Sequence, residues 1–219
     1  MVDKVLSIIA PHLCSGCGII GSTFCDNCKY DIISEPFSDC IMCGKTSNYG
    51  ICEDHKLPFY QAWVVGVRSG PLQRLIGGFK FRNMKSAYID LADLLHRRLP
   101  SLPLTVVVVP IPTSSKHIRE RGYDHMSLIA REFARLRGLR MQSLLTKNNT
   151  LVQHHANREQ RLRQASSAFS LKAKVESGTT YLIIDDVITT GATISEAARL
   201  FKNAGAYVLI AVIARQPLD

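Results

Sequence analysis

The stretch Ile183-Ile184-Asp185-Asp186-Val187-Ile188-Thr189-Thr190-Gly191-Ala192-Thr193 confines this chain to few architectures. Just before and into it, Tyr181 to Ile184 is an unbroken apolar run, the pattern of a central parallel strand covered on both faces. After it, apolar residues recur at Ile194, Ala197, Ala198, Leu200 and Phe201, which is helical spacing. The expected unit is a strand ending in two carboxylates, a turn, and a helix. A helix N-terminus carries unpaired N–H groups and partial positive charge, so a phosphate can sit there. Thr189, Thr190 and Thr193 add hydroxyl donors, and Gly191 lets the backbone approach an anion closely. Asp185 and Asp186, just ahead of that cradle, can accept hydrogen bonds from sugar hydroxyls. A phosphate beside a polyol is the ligand this pattern suggests. The bland alternative is an ordinary connection whose Asp and Thr side chains cap the helix.

The whole string resembles the 5-phosphoribosyl-1-pyrophosphate (PRPP) signature of type I phosphoribosyltransferases. That resemblance implies that Asp185 and Asp186 hold the ribose hydroxyls. It places Val187, Thr189, Thr190, Gly191, Ala192 and Thr193 around the 5′-phosphate.

Further apolar runs fit the same architecture. Trp63 to Val67 and Leu104 to Val109 read as strands, and so does Tyr207 to Ala214. Pro71 to Phe79, Ile89 to Leu99 and Met126 to Arg137 read as helices, the last closed by Gly138. Strands alternating with helices imply an α/β fold with a mostly parallel, doubly wound sheet. Ligands of such sheets lie beyond the carboxyl ends of the strands. Pro110-Ile111-Pro112 stops one strand there and opens a loop to about Asp124. In that loop Lys116, Arg119 and Arg121 can face a pyrophosphate, with Thr113 and Ser114 as nearby donors. Lys80, after Gly77-Gly78, is a further candidate for the same phosphates, whereas a solvated basic loop is the plainer reading. Tyr123 is expected to pack against the domain, and His125 to be a surface or capping residue.

Charge is divided along the chain. Residues 1–58 hold four Lys/Arg against seven Asp/Glu, so the net charge of +9 resides wholly in the remainder. Residues 116–163 hold eleven basic and four acidic side chains, which suits a polyanionic ligand, a nucleic acid or a merely solvated surface. Arg158, Arg161 and Arg163 read either as a basic hood over the site or as a flexible polar loop. No apolar run reaches membrane-spanning length, and Val2 to Leu13 lacks the basic start of a signal peptide. A cytoplasmic protein without membrane insertion is expected.

All seven cysteines lie between Cys14 and Cys52, an odd number that disulfides cannot exhaust. Cys14-x-x-Cys17, Cys25-x-x-Cys28, Cys40-x-x-Cys43 and Cys52-x-x-His55 are four ligand pairs at the spacing that presents two donors to a tetrahedral ion. Eight ligands make two closed, structural zinc sites. Sequential pairing joins the first two pairs and the last two; a crossed arrangement joins the first with the third. His55 is either the eighth ligand or a plain surface residue. Residues 1–58 are thus expected to form a small metal module, with Leu57-Pro58 as the join to a second domain over 59–219.

The cysteine pairs, the Val109-Pro110-Ile111-Pro112 strand end, Arg119-Glu120-Arg121-Gly122-Tyr123-Asp124 and the Asp185–Thr193 loop together resemble the ComF family, over nearly the whole chain and in family order. Members look like phosphoribosyltransferases joined to an amino-terminal zinc finger and are associated with natural competence. The resemblance implies PRPP and Mg²⁺ binding, single-stranded DNA as a partner, and a competence helicase nearby. Two departures stand out. His55 occupies a position where cysteine is usual, and Gln164 one where asparagine is more frequent. An active transferase would displace pyrophosphate from the ribose anomeric carbon, with no acceptor base named by any residue.

Overall fold

The computed structural model describes residues 12–148 and 168–218. Its main sheet has five strands: β1 (Gln61–Val67), β2 (Val107–Pro110), β3 (Arg140–Met141), β6 (Thr180–Ile188) and β7 (Tyr207–Arg215). Their order is β1-β7-β6-β2-β3, and every neighbouring pair is parallel. A separate antiparallel pair joins β4 (Leu145–Lys147) to β5 (Phe169–Leu171). The mostly parallel sheet expected from the sequence is present.

Six helices, among the described residues, accompany the sheet: α1 (Asp26–Ser34), α2 (Gly70–Phe81), α3 (Ala87–Arg98), α4 (Ser115–Arg121), α5 (His125–Arg137) and α6 (Ala192–Asn203). Alternate residues of each strand feed opposite faces, as the two-residue strand period dictates. On one face Val65, Val108, Leu182, Ile184 and Ile213 pack with Leu72, Leu75, Leu91, Leu95, Ile129 and Phe133. On the other, Val64, Val107, Val109, Ile183 and Ile210 pack with Ile194, Ala197, Ala198 and Phe201. Among the described residues no helix is long and apolar enough to cross a membrane.

Two expected boundaries moved. Leu104 and Thr105 stay outside β2, because Val106 N–H donates to Pro103 O in a turn and the ladder begins at Val107. The expected open loop after Pro112 instead contains α4. Ser114 caps that helix by accepting from His117 N–H, and Gly122 ends it at φ 76°, a left-handed conformation that glycine adopts at no steric cost.

The cysteine-rich segment forms two similar knuckles. In each, the glycine N–H donates back to the first cysteine carbonyl, Gly18 to Cys14 and Gly44 to Cys40. The first knuckle and α1 add Cys14, Phe24 and Cys28 to the core on one face of the sheet. The second adds Ile41, with Phe37 and Met42 beside it, to the opposite face. Between them the segment covers the edge strand β1, where Ala62 N–H donates to Tyr49 O, an edge that would otherwise pair with a foreign strand.

Polar bonds fasten the segment. Lys29 Nζ lies 2.7 Å from Asp90 and 2.9 Å from Asp93 on α3, and Thr23 bonds Asp90. One Arg98 nitrogen donates to Ile32 O, Glu35 O and Val65 O at 3.0, 2.8 and 2.7 Å. Arg98→Met keeps the aliphatic stem but leaves those carbonyls without a donor, and the expected loss is about 2–4 kcal/mol. Urea denaturation measures it; an unchanged midpoint would show that the linkage is idle.

Candidate functional site

Asp185 and Asp186 lie inside β6, two residues short of its end, because Val187 and Ile188 still pair with Ala214 and Arg215 of β7. The strand was expected to end in these two carboxylates, and it runs on to Ile188. Both carboxylates are 8% exposed. Being successive strand residues, they point to opposite faces. Asp185 Oδ1 accepts the Asp186 N–H at 2.8 Å. Burial, followed by the charge of Asp186, pushes the Asp185 carboxyl up to about 8.

Asp186 is held the other way. Burial alone would raise it, but a hydrogen bond from His125 and the charge of Lys80 outweigh burial and keep it ionised. Lys80 Nζ, from α2, sits 2.7 Å from Asp186 Oδ2, and His125 Nε2, from α5, sits 2.5 Å from the same oxygen. His125 Nδ1 lies 3.0 Å from an Arg121 nitrogen. His125 Nδ1 also lies 2.9 Å from Thr113 Oγ1, which donates to Asp124 Oδ1 at 2.7 Å. His125 is thus held between Asp186 at one ring nitrogen and Arg121 and Thr113 at the other.

His125 is therefore a site residue and not the surface or capping histidine expected from the sequence. Its signal was weak but present: a polar residue at the first position of an amphipathic helix, just past the carboxyl end of β2. Asp124, the residue before it, caps α5 by accepting from Ser127 N–H. Tyr123 packs as expected, stacked on Phe79 at 5.4 Å and donating to Phe79 O.

Beyond β6 the chain turns through Thr189, Thr190 and Gly191 into α6, whose first residues Ala192 and Thr193 are exposed. Gly191 has φ 74° and is buried. A Cβ there would meet Met42 Sδ at 2.5 Å, so the turn needs glycine both for its backbone and for its floor. That floor belongs to the second knuckle, between Cys40 and Cys43. Arg215, at the end of β7, donates from Nε to Ile41 O at 3.2 Å and reinforces the same contact.

The basic residues of α4 divide. Arg121 turns inward to His125 and covers the Phe81 ring at 5.5 Å. Lys116 and Arg119 stay exposed, with Lys116 3.9 Å from Glu120. The structure thus brings together Thr113, Lys80, Arg121, Asp185 and Asp186, and leaves Lys116 and Arg119 at the rim. A cleft of about 210 Å³, lined by Lys80, Phe81, Arg121 and His117 among others, opens beside them. Arg158, Arg161 and Arg163 lie outside the described residues.

The metal-ligating atoms converge in sequential order. Cys14, Cys17, Cys25 and Cys28 form one group, and Cys40, Cys43, Cys52 and His55 the other, each within 4.8 Å. The crossed arrangement is excluded, and His55 joins its group with Nδ1 3.1 Å from Cys52 Sγ. In the first group Gly16 and Cys25 N–H groups donate to Cys14 Sγ, the bonding a thiolate favours. Both groups could hold a metal ion, and four sulfur or imidazole donors suit zinc.

A parallel sheet with buried carboxylates and a glycine turn at the carboxyl end of its central strand defines a type I phosphoribosyltransferase-like protein. Residues 118–218 match the phosphoribosyl transferase domain family. The chain is 29% identical over 187 residues to the DNA utilization protein YhgH of Salmonella typhi, covering 80% of this chain and 82% of that one. It is 28% identical over 197 residues to competence protein F of Haemophilus influenzae, covering 83% and 85%. A glutamine PRPP amidotransferase from B. subtilis superposes with a TM-score of 0.42 at 22% identity, over 58% of this chain and 26% of that one. The chain thus carries a phosphoribosyl transferase domain match and an amino-terminal pair of cysteine clusters, and it is similar over most of its length to proteins named DNA utilization protein and competence protein F.

The raised Asp185 has a stability signature. An unfolded aspartate titrates near about 3.9, so between there and about 8 the folded chain holds the extra proton and loses stability as pH rises. Asp185→Asn cannot ionise and still accepts the Asp186 N–H. Its melting temperature should exceed that of the unaltered chain by about 2 °C or more at pH 8, with the gap shrinking towards pH 5. A gap independent of pH in scanning calorimetry would refute the protonated Asp185.

Proposed function

We propose that this chain binds PRPP with Mg²⁺ through the Asp185–Thr193 strand end and turn, and acts on single-stranded DNA in natural competence. The observation that carries the reading is the pair of buried carboxylates leading into a glycine turn and the N-terminus of α6. Asp185 and Asp186 take the ribose hydroxyls. Thr189, Thr190, Gly191, Ala192 and Thr193 take the 5′-phosphate with backbone and hydroxyl donors, with Val187 setting the strand end. Lys80, Arg121 and Thr113 face the pyrophosphate, joined by Lys116 and Arg119 from the rim. When bound, Mg²⁺ neutralises pyrophosphate charge while keeping most of its waters.

The names of the relatives, DNA utilization protein and competence protein F, support a role with DNA. We further propose that residues 1–58 are a zinc module holding two structural ions, that 59–219 form the ligand-binding domain, and that the protein works in the cytoplasm beside a competence helicase. The alternative is an active transferase for an unidentified base, favoured by the buried His125 that fixes one Asp186 oxygen by hydrogen bonding. Such chemistry needs positioning and charge neutralisation more than a protein nucleophile.

Two experiments test this reading. Replacing both Asp185 and Asp186 by Ala should weaken PRPP binding by roughly 100-fold or more in calorimetry, the loss expected for two charged hydrogen-bonding partners. Unchanged affinity would reject the site. Pyrophosphate release with a panel of bases then separates the two roles, since release requiring one base identifies a transferase. For the metals, atomic emission should find two zinc ions per chain. Cys43→Ser should retain one and weaken PRPP binding severalfold, because Met42 of that knuckle supports Gly191. Full zinc content in Cys43→Ser would contradict the ligand assignment.

A further inference from the structure

The outer face of α2 contains a glycine that packing does not explain. A Cβ on Gly78 would strike Met84 Sδ, so that glycine packs closely against its neighbour. Next to it, a Cβ on Gly77 would meet nothing within 4 Å. A glycine inside a helix destabilises it relative to any ordinary side chain, and here no contact compensates. Gly77 lies in the floor of an open cleft of about 510 Å³ whose lining includes Gly70, Arg68, Arg74, Arg82 and Phe81. Among the described residues no acidic side chain lines it. Arg74 is fixed across its wall by donating to Ser15 O and Gly16 O of the first knuckle, at 2.7 and 3.0 Å.

Phe81 is the second independent feature. It is 71% exposed although it is a large apolar ring, and Arg121 lies over one side of it. It lines both this cleft and the smaller one beside Lys80 and Arg121, so the two meet at its ring. A basic track with an exposed aromatic ring takes a phosphate backbone whose bases are free to stack, which a duplex does not offer.

We propose that the α2 face is the groove for single-stranded nucleic acid: Arg68, Arg74 and Arg82 track the backbone, Gly77 lets it approach the helix, and Phe81 stacks a base at the entrance to the phosphoribosyl site. The inference rests on the proposed role with DNA and assigns it a surface. It also places a strand end or base next to the ligand that Asp185 and Asp186 hold.

The zinc-loaded full chain is titrated against fluorescein-labelled oligothymidylate by anisotropy, and against PRPP by calorimetry. Gly77→Leu fills the groove while improving the helix. It should melt no lower than the unaltered chain, keep its PRPP affinity, and bind the oligonucleotide roughly tenfold or more weakly. Arg82→Ala should lower the salt dependence by about one phosphate contact. If the unaltered chain binds oligothymidylate and both variants bind it equally well, the groove is wrong while the role with DNA stands. If the unaltered chain binds none, both fall. Duplex bound as tightly as single strand would overturn the stacking role of Phe81.

Discussion

Two adjacent carboxylates buried on the central strand of a parallel sheet set the terms for everything around them. Charged pairs this close repel strongly once water is removed, so both cannot stay ionised without compensation. The fold resolves the conflict asymmetrically. Asp185 keeps a proton, while Asp186 is ionised against Lys80 and His125. That solution requires α2 and α5 to deliver one side chain each to the same oxygen, which fixes where both helices sit on the sheet. Removing one member of a buried pair typically costs about 3–5 kcal/mol, more than a marginally stable domain can easily spare.

Local pattern carried most of the elements. The apolar run before Asp185 and the helical spacing after Gly191 located β6 and α6, because both are long and periodic. The four ligand pairs exposed both metal groups for the same reason: chelation at two-residue spacing is a local property. Ligand pairing was not local, since it depends on which knuckles approach each other, and only the folded chain distinguishes sequential from crossed sites. The helix α4 escaped notice because seven residues hold too little periodicity, and its existence rests on Ser114 and Gly122 as caps. His125 escaped because its role is defined by partners 4, 12 and 61 residues away. A sequence shows a polar residue at a helix start but not which carboxylate it will meet.

The cysteine-rich segment also belongs to the site by contact. Its knuckles pack on opposite faces of the sheet, so it grips the β1 edge from both sides. Too short to bury a core of its own, it shares the one beneath the sheet, and its two ligand groups are where a bound ion would add folding free energy. Gly191 makes its left-handed turn directly against Met42 of the Cys40–Cys43 knuckle, so the knuckle packs on the turn.

That contact separates two ways in which metal loss could act. A module tethered only by chain would release its ion without disturbing the phosphate loop. Here Arg215 ties β7 to Ile41, with its guanidinium 5.9 Å from the Phe37 ring, and Ile41 is fully buried in the core beneath α6. Relaxing the second knuckle would therefore withdraw the floor of Gly191 and the partner of a buried arginine together. Among the described residues, the bonds of the first knuckle and α1 run instead to Arg74, Asp90 and Asp93 through Ser15, Gly16, Thr23 and Lys29. The two ligand groups, one of four cysteines and one of three cysteines with His55, thus support different surfaces: the second underlies the turn after β6, and the first borders the basic cleft along α2.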